Sequence, residues 1–335
     1  AVCYWAEEYH VDGFRFDLMG VHDIGTMNEV RRALDRIDPS ILLYGEGWTA
    51  ARSPLDESLR AVKRAGPRLP RIAVFDDDLR DALRGGWGDS TEPGFVSGKS
   101  GLDRNVRFGV VGATAHFQVG FDSSGDSPVA YGGHSAETIN YVSCHDDLSL
   151  VDKLRASAPE GMTEEELVRF DKLAQTVVLT AQGIPSLFAG EEMLRTKGGV
   201  SNSHDSPDRV NRIDWSFKAD HKDVFDYYRG LIALRRTHPA FRLATAAEIE
   251  RHLRFLDTGD THVVAYMLVD HAGDDPWREI LVVYNGARAE KRVRIPPGDW
   301  HAVCLDGRIA SEALAVFSGD SVPVPASSAL IAYLP

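Results

Sequence analysis

Short apolar stretches alternate with amphipathic segments along the first two thirds of the chain. In residues 11–20, VDGFRFDLMG, Phe14 and Phe16 fall on one side of an extended backbone, and Arg15 and Asp17 fall on the other. The charged side must be paired or solvated, because an unpaired buried charge is costly. The stretch therefore predicts a buried strand with one charged face, for which a purely structural Arg–Asp pair is the simplest explanation.

The alternation continues to about residue 236 and predicts further strands and helices. The predicted elements are strands over 41–48, 71–78, 138–150 and 185–191, and helices over 26–38, 79–84, 163–181 and 224–236. Residues 85–135 are rich in Gly, Ser and Asp, and we expect them to form a long irregular excursion. Buried strands that alternate with helices are typical of a parallel α/β sheet or barrel.

The pattern changes near residue 250. Short strands separated by Gly, Pro and Asp are predicted at 261–269, 280–285, 291–295 and 321–334. This part is expected to be an all-β antiparallel sandwich. The sequence therefore predicts an α/β domain over residues 1–245 and a C-terminal β-sandwich domain over residues 246–335.

Composition narrows the classes of function. The chain has 335 residues, with 37 Lys and Arg against 50 Asp and Glu, which gives a net charge of −13. This balance argues against nucleic acid or an anionic membrane as a partner and is compatible with a neutral substrate. Cys3, Cys144 and Cys304 have neither metal-type nor paired spacing, so no disulfide framework or metal site is predicted from them.

Candidate chemistry lies at the carboxyl ends of the predicted strands. Asp17 ends the first strand, Glu46 ends the second, and His145 with Asp146 closes a later one. In a parallel α/β barrel the strand carboxyl ends lie on one face, so these three carboxylates are expected to converge. A lone carboxylate at such a position would more simply be a cap or a structural pair.

Aromatic residues accompany the second carboxylate. Tyr44 and Trp48 share the parity of Glu46 and would flank it on the same face of a regular strand. Aromatic rings beside carboxylates suit sugars, whose apolar faces stack on rings while their hydroxyls bind charged groups. A glycosidase requires one carboxylate nucleophile and one carboxylic acid.

Three of these segments resemble a known enzyme family. The segments DGFRFD, GEGW and CHDD, in this order, are similar to three of the four conserved segments of the α-amylase superfamily, glycoside hydrolase family 13. The longer forms, together with RTKGGVSNSHDSPDRVNRIDW at 195–215, resemble type I pullulanases, which debranch starch. The resemblance covers nearly the whole chain and implies a (β/α)8 TIM barrel.

The resemblance also implies roles for single residues. Asp17 matches the catalytic nucleophile, Glu46 the general acid/base, and Asp146 the third carboxylate, which holds sugar hydroxyls. Arg15 matches the guanidinium that fixes the nucleophile, and His145 matches a histidine that binds sugar hydroxyls.

Three further residues are expected to contact substrate. Trp48 resembles a ring that stacks on a sugar at a subsite, although a core position would explain it equally. Tyr44 would lie on the same face of a regular strand as Trp48. Asn202 begins the stretch NSHD at 202–205, which departs from the N-S-Y-N-type loop of the family.

One family segment is missing from the sequence. The DVVYNH-like first segment does not occur, and the family order places it upstream of residue 1. The first strand would then be the fourth of the barrel, so we expect a partial barrel with about strands four to eight. An upstream half of the barrel is expected as a partner. No cofactor is assigned; calcium stays open because its ligands could lie upstream, and so does localisation.

The expected function is hydrolysis of α-1,6-glucosidic linkages with retention of configuration. The implied substrates are branched α-glucans, namely pullulan, limit dextrin and amylopectin. An isoamylase or a glycogen-debranching relative would share the same segments. A non-catalytic glucan-binding or assembly fragment is the alternative from another class.

Overall fold

The computed structural model describes residues 1–50, 52–120 and 130–335. Helices and strands alternate up to β5, as the sequence predicts. The helices are α1 (Val2–Tyr9), α2 (Ile24–Asp35), α3 (Asp77–Arg84), α4 (Asp103–Val110), α5 (Leu150–Ala156), α6 (Glu164–Thr180), α7 (Asp208–Asn211), α8 (Phe217–Asp220), α9 (Lys222–Thr237) and α10 (Ala246–His252). The strands are β1 (Gly13–Phe16), β2 (Leu42–Gly45), β3 (Ala73–Phe75), β4 (Thr138–Asn140), β5 (Ile184–Pro185), β6 (Leu253–Leu256), β7 (Val263–Leu268), β8 (Glu279–Asn285), β9 (Lys291–Leu305), β10 (Arg308–Ile309), β11 (Ala315–Val324) and β12 (Ser328–Leu334).

The first five strands form one parallel sheet in chain order. Each strand pairs in parallel with the next one, and Phe16 at the end of β1 lies opposite Gly45 at the end of β2. Consecutive parallel strands require crossover connections. The α-helices supply them, except between β2 and β3, where the connection contains two short 3-10 helices. The predicted parallel α/β sheet is therefore confirmed, and its carboxyl ends form a common edge. Closure of this sheet into a barrel stays a prediction.

A local sequence signal explains the start of α6, whereas α4 had none that was recognised. Thr163 and Glu166 form a capping box at the start of α6, in which each side chain accepts a hydrogen bond from the backbone N–H of the other residue. The prediction of an irregular 85–135 segment was incomplete, because it contains α4, whose Phe108 is fully buried. The part of that segment at 121–129 lies outside the described residues. Within the described ranges, no helix is both long and apolar enough to cross a membrane.

The last strands form an antiparallel sheet with two apolar faces. Its strand order is β10-β9-β12-β8-β7-β6, and β11 pairs with β9. Alternation along β7 sends Val263 and Ala265 into one core and Val264 and Tyr266 into a second core, which also contains residues of α6 and α9. The Tyr266 hydroxyl donates to the Thr180 carbonyl oxygen at the end of α6, at 3.0 Å. The predicted antiparallel all-β part is confirmed as a sheet domain that packs on these helices. Its division into a sandwich, with a boundary at residue 245, stays a prediction.

Candidate active site

Acidic residues directly follow the first three strands of the parallel sheet. Asp17 comes after β1, Glu46 after β2 and Asp76 after β3. The Glu46 amide donates to the Phe16 carbonyl oxygen at 3.0 Å, which extends the pairing of β1 and β2 to their ends. A Cβ atom at Gly45 would lie 2.6 Å from that same oxygen, so glycine is needed where the strands approach. The strand register therefore places Asp17 beside Glu46.

One guanidinium joins these two carboxylates. Arg15 donates from Nη2 to Glu46 Oε1 at 2.8 Å and from Nη1 to Asp17 Oδ1 at 3.3 Å. The Leu18 amide also donates to Glu46 Oε2 at 2.8 Å. The Asp17 side chain is 72% exposed and that of Glu46 is 9% exposed. The sequence led us to expect Arg15 on Asp17, and the structure shows that its shorter contact is with Glu46.

A cavity of about 720 Å³ opens at this edge of the sheet. Five of the eight residues predicted from the sequence line it: Asp17, Glu46, Trp48, Asp146 and Asn202. The strand-end argument thus brings together carboxylates that are far apart in the chain. A cavity of this size is in the range of small-ligand sites.

The other three predicted residues lie beside the cavity and not in its lining. Arg15 contacts two lining carboxylates, as described above. His145 is 61% exposed, and its Nε2 lies 3.3 Å from Asp146 Oδ2. The Tyr44 ring meets Phe75 edge-on at 5.7 Å, within an apolar cluster that also contains Trp48.

Sequence reasoning missed several lining residues between β3 and α4. Asp77, Arg80 and Trp87 line the cavity together with Tyr141. Arg80 Nη1 donates to the Tyr141 hydroxyl at 2.6 Å, and the Arg80 guanidinium lies 5.2 Å from the centre of the Trp87 ring. The strand-end rule, if applied to β3, would have found Asp76 and so drawn attention to its neighbour Asp77. Trp87 lies in the 85–135 segment, whose sequence carries little pattern.

A buried acidic cluster with one lysine supports this side of the cavity. Lys63 Nζ donates to Asp78 Oδ2 at 2.8 Å and also to Asp77. Burial, together with the charge of Asp78, raises the pKa of Asp76 to about 7. Asp76 Oδ1 accepts a hydrogen bond from the Leu79 amide at 3.0 Å, which caps α3. The end of β3 is thus fixed by buried charges.

Two buried cations fix the turn that carries Asp146. Lys197 Nζ donates to the carbonyl oxygens of His145, at 3.1 Å, and Asp147. Arg84 donates to Asp147 Oδ2 at 2.8 Å and to the Leu148 carbonyl oxygen at 3.0 Å. Burial lowers the pKa of both cations. The turn is therefore held mainly through its backbone, which leaves the Asp146 carboxylate directed to the cavity.

The donor atoms at this turn do not fit calcium. In the described part of the chain, Cys144, His145 and Asp146 form the group whose ligand atoms lie close enough for a metal, within 4.8 Å of one another. Calcium takes oxygen ligands, and this group offers a thiol and an imidazole beside one carboxylate. Burial also raises the pKa of the Cys144 thiol, which disfavours the thiolate that metals bind.

A parallel α/β sheet with carboxylates at its strand ends is compatible with a carbohydrate-cleaving enzyme, and comparison with known proteins points to that class. Residues 249–308 match a family model described as the all-beta domain of pullulanase. Pullulanase of Bacillus subtilis strain 168 is 37% identical over 295 residues, which cover 88% of this chain and 39% of that protein.

Solved structures give the same result over nearly all of the chain. Pullulanase from Bacillus acidopullulyticus matches with a TM-score of 0.91 and 41% identity, over 99% of this chain and 39% of that one. Pullulanase type I from Bacillus subtilis strain 168, complexed with maltose, matches with a TM-score of 0.91 and 34% identity, over 99% of this chain and 45% of that one.

The chain belongs to the pullulanase family, whose members are glycoside hydrolases. It corresponds to their C-terminal portion and spans about 39% of the length of the Bacillus subtilis relative.

Proposed function

We propose that this chain carries the catalytic carboxylates of a debranching glycoside hydrolase that cleaves α-1,6-glucosidic linkages. The observation that carries the proposal is the Arg15 bridge between Asp17 and Glu46, at the edge of a cavity that Asp146 also lines. The proposed substrates are branched α-glucans: pullulan, limit dextrin and amylopectin.

The proposed chemistry uses two carboxylates in two steps with retention. Asp17 attacks the anomeric carbon and forms a covalent glycosyl intermediate, while Glu46 protonates the leaving oxygen. Glu46 then takes a proton from water, which attacks the intermediate and releases Asp17. The exposure of Asp17 leaves it open to substrate. A retaining site predicts the two carboxyl groups roughly 5–5.5 Å apart in the working enzyme.

The remaining residues would bind and orient the sugar. Asp146 would accept hydrogen bonds from sugar hydroxyls, His145 beside it would exchange hydrogen bonds with them, and Asn202 contributes an amide to the same lining as Asp146. Trp48 presents a ring in the same lining. Tyr44 would support the Trp48 ring through the apolar cluster that contains both residues.

We further propose that residues 1–245, with their parallel sheet, form the second part of a (β/α)8 barrel. A β-sandwich domain over residues 246–335 follows it. In the described residues, β1 and β5 each have one strand neighbour, so both edges of the sheet have free pairing groups. Strands contributed from upstream would pair with these edges and complete the cleft. This proposal predicts that residues 1–335 alone hydrolyse pullulan little or not at all.

The test measures reducing-sugar release from pullulan by the chain alone and by a fusion of the chain to the upstream region of the Bacillus subtilis relative. We expect the fusion to be active and Asp17→Asn and Glu46→Gln each to lower kcat/KM by at least about 10³-fold. Asp12→Asn is the matched control, since Asp12 is exposed at the opposite end of β1.

Two results would overturn the proposal. One is a fusion whose activity survives both carboxylate substitutions. The other is release of the product with inverted anomeric configuration, which proton NMR detects within the first minutes of reaction.

A further inference from the structure

A buried carboxyl group lies behind the turn that carries Asp146. Glu191 follows β5, in a short 3-10 helix over Glu191–Met193, and is 2% exposed. Its Oε1 contacts the Ser143 hydroxyl, one residue before Cys144. Glu191 therefore connects the segment after β5 to the segment after β4.

The second oxygen of Glu191 completes a closed network. Oε2 accepts hydrogen bonds from Gln175 Nε2 on α6, at 2.9 Å, and from the Phe188 amide, at 3.2 Å. Ser143 and Gln175 are themselves buried, at 2% and 0% exposure. Three chain segments thus meet at one carboxyl group away from solvent, where an unmatched partner is costly.

The backbone around Glu191 fixes its direction. Gly190, on one side, has φ 98°, and Leu194, after the 3-10 turn, has φ 58°. Left-handed residues of this kind persist where the surrounding structure determines them. The arrangement therefore aims Glu191 at Ser143 rather than at the cavity, whose lining does not include it.

We propose that Glu191 is a positioning residue that holds the Ser143–Asp147 turn in place at the cleft, an inference that rests on the proposed function for the catalytic meaning of that turn. It acts through Ser143, and neither Glu191 nor Ser143 belongs to the lining of the cavity. Lys197 and Arg84 fix the later part of the turn, and Glu191 fixes its beginning.

The protonation state supports this geometry. Burial raises the pKa of Glu191 to about 8, and the nearby charge of Asp171 raises it as well. The titratable groups that face Glu191 are Asp171 on α6, Arg84 on α3 and Tyr228 on α9. A neutral carboxyl group can donate to Ser143 through one oxygen and accept from Gln175 and Phe188 through the other. Glutamine offers the same arrangement of one donor side and one acceptor side.

The test uses the Cys144 thiol as a reporter of the turn and requires no catalytic activity. Cys144 lines the cavity, Cys304 is fully buried, and Cys3→Ser removes the third thiol. Labelling by a maleimide at pH 7 is expected to be roughly tenfold faster in Glu191→Leu, because the buried hydrogen bonds of Ser143 are lost. Glu191→Gln should label within about twofold of the parent, since it restores those bonds.

The pH profile and two further variants separate positioning from general stability. Above pH 8, labelling of the parent should exceed that of Glu191→Gln, because only the parent can ionise there. Ser143→Ala should increase labelling like Glu191→Leu while disturbing the core less. Asp171→Asn is the matched control, since Asp171 is equally buried but hydrogen-bonds Tyr228.

The outcomes decide between the alternatives. Equal labelling in the parent, Glu191→Leu and Ser143→Ala would overturn the positioning role, as would equal acceleration by Asp171→Asn. If the labelling pattern is as expected and the fusion to the upstream region hydrolyses no pullulan, the positioning role stands and the proposed function fails.

Discussion

The carboxylates on the two sides of the cavity are fixed in place by different kinds of contact. On the Asp17 side, the residues come directly after paired strands, and one partly exposed Arg15 joins them through side-chain contacts. On the Asp146 side, the turn is fixed from behind by Lys197 and Arg84, which are 2% and 1% exposed. The first side is set by strand register, and the second depends on buried residues that are distant in sequence. The second side should therefore be the more sensitive to substitution of a supporting residue.

The largest expected effect comes from Lys197→Met. The substitution leaves the carbonyl oxygens of His145, Asp147 and Ser201 without their ammonium donor in a buried setting. We expect the free energy of unfolding to fall by about 3–5 kcal/mol, as when one partner of a buried charged group is removed. Urea denaturation of the chain at pH 7 measures this change.

The matched control is Lys222→Met on α9. Lys222 pairs with Asp226 one turn later on an exposed face, where ion pairs contribute little. Equal losses in the two lysine variants would show that the turn is not held from behind, and the contrast between the two sides of the cleft would fail.

A smaller effect is expected from pH at Glu191. Its pKa is raised to about 8 in the folded chain, against an ordinary value of 4.5, so the folded state binds the proton more tightly than the unfolded state does. The stabilisation is complete below pH 4.5 and is lost as the pH rises through 8. Between pH 5 and 9, the free energy of unfolding should fall by about 2–4 kcal/mol less in Glu191→Gln than in the parent.

Denaturation of the parent and of Glu191→Gln at a series of pH values checks this prediction. In both proteins the free energy of unfolding also falls with rising pH because of Asp171 and Asp76, since burial raises the pKa of each to about 7. The difference between the two proteins is therefore the quantity to follow. A difference that is constant with pH would contradict the assignment of a neutral Glu191 to the folded state.

The contrast between the two sides also explains what the sequence could predict. The strand-end rule held for Asp17 and Glu46, which directly follow β1 and β2, but the prediction that Asp146 closes a strand was wrong, because β4 ends at Asn140 and Asp146 lies on the turn after it. All three carboxylates nevertheless line one cavity. Tyr44 lies in one apolar cluster with Trp48, and its place beside Glu46 stays a prediction, because β2 ends at Gly45 and the regular alternation ends with it. Parity is informative only while the residues stay paired in a strand.

Other features had no local signal in the sequence. Lys197 follows β5 by twelve residues and carries no periodicity, yet its ammonium group reaches three carbonyl oxygens of two segments. Trp87 follows α3 in the segment expected to be irregular, and it reaches the cavity because Arg80 packs against its ring. Both contacts are tertiary, so only the folded chain shows them.

The smallest expected effect is on sugar binding, after substitution of one tryptophan ring on each side of the cavity. Trp48 follows Glu46 closely, and Trp87, which is 49% exposed, lies beside Arg80 across the cavity. Either ring can stack on a sugar, and we expect Trp48→Ala and Trp87→Ala each to weaken maltotetraose binding roughly fivefold, about 1 kcal/mol. Isothermal titration calorimetry of the chain with maltotetraose measures both constants.

Trp5→Ala on α1 is the control, since Trp5 is similarly exposed but lies outside the cavity lining. If only Trp48→Ala weakens binding, the sugar lies against the Asp17 side, and Trp87 serves to pack Arg80. If both substitutions weaken binding and the control does not, the sugar spans the cleft between them.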